Sequence, residues 1–322
     1  MKKIMITGSL GQIGSDLIKR LRQDYGVQNV IATDIRDPKD HPAVKEGNFE
    51  ILDVMNRDKM FEIAKKHNVD TLVHFAALLS ATAEKNPQFG WDLNMSGLMN
   101  ALEVARELNL KFFTPSSIAA FGPNSPKDNT PQDTVQRPTT MYGVTKVAGE
   151  LLCDYYFLKY KVDTRGVRFP GLISYAAEPG GGTTDYAVDI YYEALKNKKY
   201  ASYIGKGTYM DMMYMPDAID SIVNLLNADP AKLVHRNAFN ITAMSFDPEQ
   251  IAASIKKFMP EFTMSYNVDP VRQSIADSWP NSIDASAAKK EWGFAPKYDL
   301  DKMTLDMLQK LSVKLNIPFK AK

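Results

Sequence analysis

A single cysteine, Cys153, stands in a chain of 322 residues. A lone thiol excludes an intramolecular disulfide and any metal cage built on thiolates. Histidine is nearly as scarce: His41, His67, His74 and His235 are scattered without metal-ligand spacing, so no metal site is expected. No apolar run approaches the roughly 20 residues that a spanning helix needs, which speaks against a membrane. Charge of one sign is missing too, with 39 basic residues against 38 acidic ones. That balance leaves no electrostatic footprint for nucleic acid. Lys2-Lys3 runs straight into the strand-like Ile4-Met5-Ile6-Thr7, leaving no room for a signal or transit segment. A cytoplasmic protein acting on a small molecule is the expectation.

What the chain does have is regular alternation. Short β-branched runs at 3–7, 29–33, 49–52, 71–75, 111–114 and 164–168 read as strands, and segments 12–22, 57–67, 91–107 and 141–159 between them read as helices. Apolar strands separated by longer amphipathic helices imply right-handed crossovers and a parallel sheet covered on both faces. The expected fold is α/β, a doubly wound parallel sheet of Rossmann-like type. Near Gly171 the alternation lapses. Pro179-Gly180-Gly181-Gly182 reads as a flexible loop, and Asp247-Pro248-Glu249-Gln250 as a helix start with a capping box. The division expected is a first domain over 1–170 and a smaller C-terminal lobe over 171–322, with part of 206–245 returning to the main sheet.

Gly8, Gly11 and Gly14 fall between the first strand and the first helix, which Gln12 and Ile13 open. Glycines there permit a tight turn and a close backbone approach to a pyrophosphate, while the helix N-terminus offers free N–H groups. Asp34 lies 20 residues beyond Gly14, next to Ile35, at the end of the second strand. A carboxylate there accepts from ribose hydroxyls and repels a 2′-phosphate, so NAD is expected rather than NADP. Arg36 reads as a solvated loop charge. Asp53-Val54 and Phe75-Ala76-Ala77 end the third and fourth strands, on the edge where open α/β sheets bind ligands. Asp53 also reads as a cap for the next helix.

Tyr142 and Lys146 open a long helix, and a spacing of four puts them on one face. A tyrosine with an ordinary pKa of about 10 is a poor base at neutral pH. A neighbouring ammonium, helped by a positive nicotinamide ring, favours the phenolate. Ser117 ends the fifth strand pattern, where a hydroxyl can orient a reacting oxygen.

Gly8-x-x-Gly11-x-x-Gly14, Ser117, Tyr142-x-x-x-Lys146 and Asn94-x-x-Gly97 together resemble the extended short-chain dehydrogenase/reductase family over nearly the whole chain. The resemblance implies a Rossmann-like domain with a smaller substrate lobe, and catalysis by Ser117, Tyr142 and Lys146. It adds Asn94, Ser116, Phe169 and Pro170 to the cofactor side, Asn94 otherwise reading as a helix cap. It also implies a homodimer paired through the two long helices at 91–107 and 141–159.

The family mostly handles nucleotide sugars, and two departures argue against that substrate. Ser117 is followed by Ile118-Ala119, where dehydratases of the family carry acidic residues. An Arg-Asp pair that holds the diphosphate is replaced by Met210-Asp211, and a methionine cannot supply a bidentate phosphate contact. The strings 179–188, Met212-Met213-Tyr214-Met215 and Asp277-Ser278-Trp279-Pro280 instead look like the distinctive segments of short-chain-type L-threonine 3-dehydrogenases. That likeness implies oxidation of L-threonine to 2-amino-3-oxobutyrate. Ser80, Thr183 and Thr184 are the candidate hydroxyl partners of the zwitterion, and Trp279 a pocket wall. Each has a plainer reading: helix caps for the three hydroxyls and lobe packing for Trp279. The glycines before Thr183 suggest a loop that closes on substrate. The competing readings are a nucleotide-sugar epimerase, another small-hydroxyl dehydrogenase, and a non-catalytic NAD-binding module.

Overall fold

In this computed structural model, residues 1–176, 178 and 182–320 are described. The strands, in chain order, are β1 (Ile4–Thr7), β2 (Val30–Asp34), β3 (Phe49–Ile51), β4 (Thr71–His74), β5 (Lys111–Phe113), β6 (Ser116–Ser117) and β7 (Thr164–Arg165). They continue with β8 (Val167–Phe169), β9 (Gly171–Ile173), β10 (Lys199–Ser202), β11 (Met210–Tyr214), β12 (Phe239–Asn240), β13 (Met244–Phe246) and β14 (Thr263–Tyr266). The main sheet runs β3-β2-β1-β4-β5-β7, with every pairing parallel. It is the α/β, doubly wound, Rossmann-like sheet expected from the alternation.

β1, β2 and β4 are buried along their whole length, as a sheet covered on both faces requires. Side chains of β1 alternate between two apolar layers. Ile4 and Ile6 pack with Leu17 and Leu21 of the Gln12–Tyr25 helix on one side. Met5 packs with Met60, Ile63 and Leu102 on the other.

The run 164–168 is two strands rather than one. The chain breaks at Gly166, where a Cβ would lie 2.4 Å from the Thr114 carbonyl oxygen. β7 completes the main sheet, whereas β8 pairs with β6 and β12. The step brings Phe169 into register with Ser117.

Beyond Gly171 a third core forms around Tyr186, Ile190 and Tyr191, together with Ile251, Ile255, Met303 and Met307. Met210, Met212, Met213 and Met215 are all buried, so this run fills cores. β11 pairs with β9, β12 pairs with β8, and Ile222 and Leu226 of the Met215–Asn227 helix join the apolar layer beneath the main sheet. The Pro248–Phe258 helix starts with the capping box its sequence predicts: Asp247 Oδ1 accepts from Gln250 N at 2.9 Å, and Gln250 Oε1 accepts from Asp247 N at 3.3 Å. Among the described residues no helix is long and apolar enough to cross a membrane.

Candidate active site

The glycine loop turns as β1 ends. Gly8 has φ +63°, and a Cβ on it would sit 2.6 Å from Ala76 N, so loop and strand end touch backbone to backbone. At Gly14 a Cβ would meet the Gly8 carbonyl oxygen at 2.7 Å. The Gln12–Tyr25 helix begins after Gly11 with no side-chain cap, which leaves its first N–H groups facing outward for an anion. Ser9 Oγ, in the same loop, is buried without a partner. A cradle that a single methyl group would fill suits a dinucleotide pyrophosphate.

Asp34 closes β2 and is buried. Its Oδ2 accepts from Leu10 N at 3.0 Å and its Oδ1 from Arg36 Nε at 3.0 Å. Burial disfavours its charge, but the Arg36 guanidinium and the two backbone N–H groups outweigh that and hold the carboxyl below its ordinary range. Arg36 is therefore a partner of Asp34, not a free loop charge. Ile35 is exposed beside them. Asp53 turns its Oδ1 onto Met55 N at 2.9 Å, and Asn56, not Asp53, caps the Arg57–Lys66 helix. Val54 is buried next to it. Phe75, Ala76 and Ala77 follow β4 half-buried, on the same edge as the glycine loop.

The Met141–Tyr160 helix is capped by Thr140, whose Oγ1 accepts from Gly143 N at 3.1 Å. Gly143 lies hard against the turn after Ser117, since a Cβ there would be 2.3 Å from the Ala119 carbonyl oxygen. That contact sets Tyr142 beside the Ser117 strand. Lys146 Nζ stands 5.2 Å from the Tyr142 ring centroid and donates to the Pro115 carbonyl at 2.8 Å. Ser117 Oγ accepts from Ala119 N at 3.2 Å. Phe169 and Pro170, both buried, end β8 on the same carboxyl edge.

Asn94 sits in a π-helical turn, Asp92–Ser96, inside what the sequence reads as one helix. The wider turn carries its amide inward. Asn94 Oδ1 accepts from Leu78 N at 2.7 Å, and its Nδ2 donates to Leu78 O at 3.1 Å and Thr145 Oγ1 at 3.3 Å. It clamps the Phe75–Leu78 edge to the Met141–Tyr160 helix and is not a cap.

Of the substrate candidates, Ser80 opens the Ser80–Lys85 helix without capping it. That helix is tied to the Met141–Tyr160 helix by Met141 N donating to Glu84 Oε1 at 2.5 Å. Thr183 is buried and Thr184 half-buried in the single turn Thr183–Asp185. Gly182 is its cap residue, and its N donates to Asp185 Oδ2 at 2.8 Å, so neither threonine hydroxyl serves as the cap. The Thr184 methyl lies over Gly171, where a Cβ would be 2.8 Å from Thr184 Cγ2. Trp279 is buried in the cluster that holds Ile118 and Ala119, against which Tyr142 packs. Pro179, Gly180 and Gly181 of the expected closing loop lie outside the described residues.

Two features were not legible in the sequence. His74 Nδ1 lies 2.9 Å from Thr7 Oγ1, and burial, with Lys146 close by, drives its pKa down to about 3, so the ring is neutral. Ser116 turns its hydroxyl inward onto Glu150, which in turn pairs with Arg168. The only available hint was Glu150 one further turn along the Tyr142–Lys146 face.

Residues 4–242 match the model of the NAD dependent epimerase/dehydratase family. The chain belongs to that family, the extended short-chain dehydrogenase/reductases, and its cofactor is NAD. Within the family it is structurally close to L-threonine dehydrogenases. It is 69% identical to the L-threonine dehydrogenase of Clostridium difficile, covering 98% of each chain with a TM-score of 0.96. With that of Phytophthora infestans the identity is 48%, over 97% of this chain and 100% of that one, with a TM-score of 0.93. It is also 63% identical to an uncharacterized epimerase/dehydratase of Staphylococcus saprophyticus, over 98% of each.

Proposed function

We propose that this protein is an NAD⁺-dependent L-threonine 3-dehydrogenase that oxidises the 3-hydroxyl to give 2-amino-3-oxobutyrate. The observation that carries the reading is the Lys146 ammonium 5.2 Å from the Tyr142 ring centroid, beside Ser117, in a chain 69% identical to an L-threonine dehydrogenase. Met210, fully buried on β11, offers nothing to the diphosphate of a nucleotide sugar.

In this mechanism Gly8, Gly11, Gln12, Ile13 and Gly14 would hold the pyrophosphate, and Asp34 and Ile35 would hold the adenosine end. Asp53, Val54, Phe75, Ala76, Ala77, Asn94, Ser116, Phe169 and Pro170 line the rest of the cofactor track. NAD⁺, when bound, supplies the acceptor for the hydride that leaves threonine Cβ. Ser117 Oγ steadies the hydroxyl oxygen while Tyr142 Oη takes its proton. Lys146 favours the phenolate that makes Tyr142 a base. Ser80, Thr183 and Thr184 bind the amino-acid head group, and Trp279 keeps water out. The lobe after residue 171 carries most of these substrate contacts.

The test is absorbance at 340 nm with purified protein, NAD⁺ and either L-threonine or a UDP-sugar. Growth of NADH with threonine alone supports the reading. Tight binding of the UDP-sugar with no response to threonine overturns it.

A further inference from the structure

The Met141–Tyr160 helix carries a third inward group on the face of Tyr142 and Lys146. Glu150, one turn beyond Lys146, is buried at 6% exposure. Its carboxylate is fully engaged. Arg168 donates through Nε at 2.9 Å and Nη2 at 2.8 Å, Gln136 Nε2 donates at 2.8 Å, and the Ser116 hydroxyl donates as well. Arg168 is fixed on its far side by the Gln132 carbonyl at 2.8 Å and Asn240 Oδ1 at 3.1 Å. A bidentate pair of this kind is rigid and strongly directional. What it holds is the Pro115–Ser116 peptide, and the Pro115 carbonyl is the acceptor of Lys146 Nζ at 2.8 Å.

We propose that Glu150 is a positioning residue for the reaction: through Ser116 it pins the Pro115 carbonyl, which holds the Lys146 ammonium against Tyr142. The inference rests on the dehydrogenase reading above. The Lys146–Pro115 hydrogen bond is the link by which this network reaches the ammonium. Four titratable groups surround Lys146: Tyr142 and Glu150 on its own helix, Cys153 further along it, and His74 at the end of β4. The Tyr142 ring faces the ammonium at 5.2 Å, so a pH profile is the readout that the proposal moves.

Ser116→Ala isolates the link, since Glu150 keeps Arg168 and Gln136 and the fold keeps its buried ion pair. Glu150→Gln is the harsher second variant, and Ser116→Thr restores the hydroxyl. With NAD⁺ and L-threonine, Ser116→Ala is expected to lose about tenfold in kcat with KM nearly unchanged. The rising limb of its kcat/KM profile moves up by about one pH unit, because a loosened ammonium stabilises the phenolate less. Ser116→Thr recovers most of both. An unmoved pH limb, or a kcat loss that tracks a fall in thermal midpoint, overturns the proposal. Should wild type fail to oxidise threonine, the substrate reading falls separately. The positioning claim is then read from ultraviolet titration of the phenols: the step that Tyr142→Phe removes must lie higher in Ser116→Ala, and an unshifted step refutes it.

Discussion

At the scale of single residues, Asp34 is the clearest case of chemistry written in the chain and altered by its surroundings. Its place at the end of the second strand was readable from the distance to Gly14. That Arg36 grips the same carboxylate was not, because spacing alone does not say which way a flexible, mostly exposed arginine will fold. The pair implies a cofactor switch. Asp34→Ser removes the repulsion toward a 2′-phosphate and releases Arg36 to bind it. The expected outcome is a kcat/KM ratio of NADP⁺ over NAD⁺ raised by about a hundredfold or more, a differential of roughly 3 kcal/mol, measured by initial rates with each cofactor. An unchanged ratio would show that neither residue reaches the ribose. Asn94 teaches a similar lesson: its position was legible, but its role depends on a π-turn, which leaves no periodic signal in the sequence.

Among the elements, β1, β2 and β4 were legible because both faces are covered and most of their side chains are apolar. The run 164–168 reads as one strand but is two. Gly166 lets the backbone step from one sheet to the next, and only packing against Thr114 reveals that. β11 shows an element stabilised by pH. Asp211 is nearly fully buried, with Ile283 N donating at 2.6 Å and the Thr242 hydroxyl beside it. Burial lifts its pKa from 3.8 to about 7, and those two hydrogen bonds only partly offset it. A raised acid binds its proton more tightly when folded, so its contribution is complete below about pH 4 and is lost as pH rises through about 7. The full swing is on the order of 4 kcal/mol. Urea unfolding at pH 5.5 and 8.5 is expected to show wild type losing stability relative to Asp211→Asn at the higher pH. A difference that does not vary with pH would place the Asp211 titration elsewhere.

For the whole molecule, the sequence anticipated a doubly wound parallel α/β sheet, and the structure has it, with Gly8, Asp34, Phe75 and Ser117 at or just beyond the ends of β1, β2, β4 and β6. The buried Glu150–Arg168 pair escaped notice because it joins distant segments, and no local pattern announces a long-range ion pair. We propose a homodimer through the two long helices. Leu151 and Leu158 are 62% and 67% exposed on the Met141–Tyr160 helix, and Met99 and Trp91 are 38% and 43% exposed near the other. Apolar groups in such numbers on adjoining helices favour a covered face. Sedimentation should give about twice the 36.1 kDa chain mass, with Leu151→Glu/Leu158→Glu sedimenting as a monomer. A wild-type monomer would refute the assignment of that face.

The central claim is that a hydride leaves threonine Cβ as Tyr142 takes the hydroxyl proton. Its most direct test is to supply L-[3-²H]threonine and NAD⁺ and examine the reduced cofactor by NMR. The account predicts deuterium at nicotinamide C4 with wild type and a loss of about a hundredfold or more in the rate of its formation with Tyr142→Phe. Reduced cofactor without the label, or a Tyr142→Phe variant that forms it at the wild-type rate, would contradict it.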